Sequence, residues 1–60
     1  MKGYICFHQP SGRCGEVRAD SSFAARNEGA AIMKVKPLDV YAILAEDENG
    51  EPVVHSTSAL

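Results

Sequence analysis

Cys6, His8, Cys14 and His55 are the side chains of this chain best suited to hold a metal or support nucleophilic attack. Zinc takes four thiolate or imidazole ligands, so their number fits. Their spacing does not. Structural zinc sites favour two cysteines about two to four residues apart, whereas here the order is Cys-x-His-x5-Cys with the second histidine far downstream. These four are therefore read as ordinary side chains, and neither a metal nor any other cofactor is expected. Cys14, His8 and Glu16 could also be written as nucleophile, base and orienting carboxylate. They would lie on an open strand face without a cleft. The chain also lacks a phosphate-binding glycine loop, a paired-carboxylate motif and a dinucleotide fingerprint. An enzyme is not expected.

The elements that must position these residues are short. "GYICFHQ" is rich in aromatic and β-branched residues and predicts a strand. "QPSG" follows as a turn, with Pro10 and Ser11 at its centre and Gly12 able to take positive φ. "RCGEVRAD" returns as a second strand. A three-residue loop would set Gln9 against Arg13, and hence Phe7 against Gly15 and Ile5 against Val17. Ile5, Phe7, Val17 and Ala19 would then share a buried face. Tyr4, Cys6, His8, Cys14, Glu16 and Arg18 would share the outer one. In that register Cys6 and Cys14 are diagonal, which disfavours a disulfide.

Asp20, Ser21 and Ser22 are helix-capping residues, and the residues after them can form a helix. Phe23 and Ile32 lie on opposite sides of a continuous helix, since each residue turns it by about 100°. A helix over Ser21–Glu28, closed by Gly29, is favoured, with "AIMKVK" alternating as a strand would. The runner-up is a helix running on to Lys34. "VYAILAE", residues 40–46, is the most strand-like segment. Asn49-Gly50 then predicts a hairpin leading into "PVVHSTS". A two-residue loop would pair Leu44 with His55, and a three-residue loop ending at Gly50 would pair Leu44 with Val54. The expected fold is a single α+β domain over residues 1–60: a small antiparallel sheet of about four strands, in the order β-β-α-β-β, with one short helix packed on one face.

Size and charge bear on function. Sixty residues with two Phe, two Tyr and no Trp build only a thin core. A homodimer, or a complex with another protein, would supply the missing burial. No signal peptide or membrane span is expected, which places the chain in the cytoplasm with free thiols. The net charge of −2 divides unevenly, as a stretch of +3 through residue 36 and one of −5 from Asp39 onward. Four of the later acids, Glu46, Asp47, Glu48 and Glu51, mark a tip that would meet a basic partner. Tyr4 and Arg18, on the outer face of the first hairpin, are the other partner-binding candidates. Arg13, Arg18, Lys34, Lys36 and Tyr4 form a conceivable nucleic-acid patch, but the overall negative charge disfavours it.

In length and in its two-hairpin-plus-helix layout the chain resembles the small accessory proteins of phages and mobile elements, some of which block host machinery by binding it. That resemblance implies a noncatalytic binding role, and it assigns no residue.

Overall fold

The computed structural model describes residues 1–53. Three strands form one antiparallel sheet: β1 (Lys2–His8), β2 (Arg13–Ala19) and β3 (Val40–Glu46), with β1 in the middle. One helix, α1 (Ser22–Met33), packs on one face and leads through a 3₁₀ turn, Pro37–Asp39, into β3. The small α+β architecture thus stands. Among the described residues the sheet has three strands rather than about four. After the Asn49-Gly50 turn, strand pairing among the described residues is a single bridge from Glu46 to Pro52.

The first hairpin forms where expected, but in a register one residue away. His8 lies opposite Arg13, Cys6 opposite Gly15 and Tyr4 opposite Val17. The loop has four residues, Gln9–Gly12, not three. Gly12 takes φ of 75° and donates its N–H to the His8 carbonyl at 2.8 Å. Side chains alternate along a strand, so a slip of one residue exchanges the two faces. Tyr4, Cys6 and His8 are buried with Val17 and Ala19, and Ile5 is exposed.

The helix runs through Gly29, so the runner-up reading of its length is the correct one. Ser21 caps its start, its Oγ accepting from the Ala24 N–H at 3.1 Å. It ends at Lys34, which adopts the left-handed conformation at φ 60° and bonds back to the Ala31 carbonyl, while Val35 reaches the Ala30 carbonyl. That pair of bonds closes a helix end as glycine usually does. Gly29 serves another purpose. A β-carbon placed there would stand 2.8 Å from Cys6 Cβ and 2.7 Å from its Sγ. The glycine lets the helix lie directly against the central strand.

The core follows from that approach. α1 turns its small residues, Ala25, Gly29 and Ala30, together with Met33, toward the sheet. Its large apolar residues Phe23 and Ile32 are each 66% exposed. Lys34 and Lys36 sit in the connection after α1 rather than along a strand.

At the Asn49-Gly50 turn, Gly50 takes φ of 80°, Asp47 and Glu51 are joined by a 2.9 Å backbone bond, and Glu46 bridges Pro52. This is the three-residue loop of the two alternatives. The continuation to Val54 and His55 lies outside the described residues.

Candidate interaction surface

The thiol and imidazole groups singled out by the sequence are divided between the two faces of the sheet. Cys6 is fully buried under α1 and donates its S–H to the Ala25 carbonyl at 3.2 Å. Burial pushes its thiol pKa up, which keeps it protonated and a poor nucleophile. His8 is on the same face, 8% exposed. Cys14 is exposed and on the opposite face, and both cysteines are free. Among the described residues no three His, Cys, Asp or Glu side chains converge as metal ligands. His55 lies outside them.

The closest nucleophile–base contact joins residues the sequence had not paired. Ser11 Oγ stands 2.6 Å from His8 Nδ1 and also accepts the Arg13 N–H at 3.3 Å. Both bonds fall within the four-residue loop and its flanks, so they lock the turn. Among the described residues no carboxylate hydrogen-bonds His8, so the third member of a triad is missing there. Glu16 and Cys14 point to the other side of the sheet.

Among the described residues that other side carries no helix. Ile5 pairs with Ile43 across β1 and β3, and Phe7 pairs with Tyr41. Tyr41 and Ile43 are 53% and 52% exposed and Ile5 is 37% exposed. These four side chains form one apolar patch, continuous on the β2 side with Cys14 and Glu16. Tyr41 is held at its outer end, where its hydroxyl bonds Gln9 Oε1 at 3.1 Å.

At the far end the patch gives way to charge. Arg18 and Glu46 both lie opposite Gly3, one on each neighbouring strand. Their side chains meet over it at 3.0 Å. Two local features make this contact. The register shifts between Gly3 and Tyr4, so that Leu44 pairs with Tyr4 but Glu46, not Ala45, pairs with Gly3. That extra residue turns Glu46 to the helix-free face, which strict alternation would have denied it. Gly3 then leaves room for the bridge, since a β-carbon there would stand 2.9 Å from Glu46 Oε1 and 3.1 Å from Arg18 Nη1. Beside it is an open depression of ≈ 370 Å³ walled by Ile5, Glu16, Arg18 and Glu46.

The partner-binding candidates from the sequence therefore separate. Arg18 is on the open face as expected. Tyr4 is 5% exposed beneath α1, because of the register slip, and cannot meet a partner there. The acidic tip is not a set of equivalent solvated charges. Glu46 holds Arg18, and Asp47 Oδ1 accepts from the Asn49 and Glu51 N–H groups at 2.8 and 3.0 Å. Glu48 stands 3.7 Å from the Met1 ammonium. Tyr41 and Ile43 were not foreseen as surface residues, because only the position of the helix decides which alternation of β3 is covered. Among the described residues no helix is long and apolar enough to cross a membrane. No protein-family model, curated protein or solved structure matches this chain.

Proposed function

We propose that this chain is a noncatalytic interaction module that docks to a protein through the helix-free face of its sheet. The observation carrying this reading is the half-exposure of Tyr41 and Ile43 beside Ile5 and Phe7 on a three-strand surface. A contiguous apolar patch with a polar border is the anatomy of a protein interface, with aromatic residues at its centre and charge at its rim. Here Arg18, Glu46 and Glu16 supply the border. The acidic turn beyond Glu46 adds a steering charge for a basic partner. A nucleic-acid role has less behind it. Tyr4 is buried, Arg18 is neutralised by Glu46, and Lys34 and Lys36 are away from the strands.

Capture of protein partners from a lysate of the source cells by tagged wild-type chain and by Ile43→Lys tests this. The variant should lose captured protein while keeping its unfolding midpoint, since residue 43 points to solvent. Equal capture by both chains would refute the sheet face as the docking surface. A Glu48→Ser/Glu51→Ser chain measures the tip separately. It spares Glu46 and Asp47, whose carboxylates are hydrogen-bonded, and gives up only the exposed 3.7 Å contact of Glu48 with the Met1 ammonium.

A further inference from the structure

We infer that the occupant of the helix-free sheet face is a second copy of this chain, related by a two-fold axis running parallel to β1. The inference rests on the docking reading above and names the partner of the sheet face alone; a second copy, of net charge −2, is not the basic partner of the acidic turn. Three rows cross the face. Arg18, Gly3 and Glu46 form the first, Glu16, Ile5 and Ile43 the second, and Cys14, Phe7 and Tyr41 the third. Two sheets pack about 10 Å apart with their strands within about 30° of each other. A face-to-face dimer of that kind has two simple choices of axis, and the charges discriminate between them.

With the axis across the strands through Ile5, Glu16 meets its own copy, which sets like charges against each other at the interface. Through Gly3, the same orientation sets Arg18 against Arg18. With the axis along β1, each copy's β2 lies over the other's β3. Arg18 then faces the second copy's Glu46, and the reciprocal pair forms beside it. Ile5 meets Ile5, and Phe7 meets Phe7. The first row becomes a four-membered network of alternating sign, and the apolar residues of β1 become the centre. This is the self-complementarity a two-fold contact demands. Gly3 leaves the charged groups accessible above the strand, and the bulge at Ala45 places Glu46 where the symmetry needs it.

The size of the face bounds its strength. Three strands of seven residues cover roughly 14 by 23 Å, about 330 Å² in projection. Stable interfaces bury about 800 Å² on each partner, so this contact belongs at the small end, with a Kd in the micromolar range. Both acidic turns would project from the same end of the dimer.

The test uses charge reversal and mixing. Sedimentation velocity of the wild-type chain, run from about 5 to about 500 μM to bracket that strength, should show a monomer–dimer equilibrium. Arg18→Glu and Glu46→Arg should each weaken self-association at least about tenfold, because each sets like charges across the interface. An equimolar mixture of the two variants should form a heterodimer in preference to either homodimer, since every cross-chain pair is then of opposite sign. An ion pair acting only within one chain predicts no recovery on mixing. A wild-type chain that stays monomeric throughout overturns the second-copy proposal. If Ile43→Lys then still abolishes capture of a different protein, the docking reading survives alone. A dimer indifferent to both charge reversals and to Ile43→Lys overturns both.

Discussion

The two faces of this sheet are built from the same three strands and treat apolar residues in opposite ways. On the covered face Tyr4, Cys6, Val17, Ala19 and Val40 are buried, and α1 meets them with Ala25, Gly29 and Ala30. The space between the layers is so narrow that Gly29 has no room for a methyl group. On the open face stand an aromatic pair and an isoleucine pair, with nothing from the described residues over them. Close approach of backbones, rather than bulk, sets the packing where Gly29 meets Cys6. The bulk left outside is what a partner would cover. A chain this short leaves several of its large apolar side chains outside its own core.

Two glycines, one on each face, separate these two kinds of packing most directly. Gly29→Ala should show the largest effect, a loss of about 2–3 kcal/mol in urea unfolding, because Cys6 Cβ is anchored to backbone and the whole helix must shift. Alanine's better helix propensity recovers only about 1 kcal/mol of what the clash costs. An unchanged midpoint would mean the helix sits less tightly than described. Gly3→Ala meets its closest neighbours at the flexible ends of Arg18 and Glu46, and the anchored Glu46 Cβ only at 3.2 Å, further off than Cys6 Cβ is from Gly29. It should cost less than about 1 kcal/mol and abolish the ion pair, visible as loss of salt sensitivity in the unfolding midpoint.

Between these extremes lie two effects that act on His8 and Cys6 of the covered face. Ser11→Ala removes the partner of His8 Nδ1 and of the Arg13 N–H, and should cost about 1–2 kcal/mol by thermal unfolding. Cys6 makes stability fall in alkali. Its folded pKa is raised above the ordinary thiol value of 9.0, so below that pH both states hold the proton and stability is complete. As pH rises further the unfolded thiol ionises first, and stability falls by at most about 1.4 kcal/mol per pH unit. Comparing the slope for wild type with that for Cys6→Ala isolates this contribution; equal slopes above pH 9 would refute it.

Strands at "GYICFHQ" and "VYAILAE", the turn at Pro10-Ser11-Gly12, the cap at Ser21 and the hairpin signal at Asn49-Gly50 were all legible, because each rests on local backbone preference. The helix length was not. Gly29 satisfies the local rule for a helix end, yet here it answers to Cys6 on another strand. Nor was the register, since three- and four-residue loops both suit "QPSG" and differ by one position. From that position follow the burial of Tyr4 and His8 and the exposure of Ile5.

Local sequence was therefore enough to place β1, β2, β3, the two turns and the start of α1, and to show that apolar residues alternate along the strands. Which alternation is inside came from the packing of the helix. Alternation is symmetric between two faces until a helix lies on one of them. The helix chose the face where Cys6 meets a glycine, and so left Ile5, Phe7, Tyr41 and Ile43 on the other.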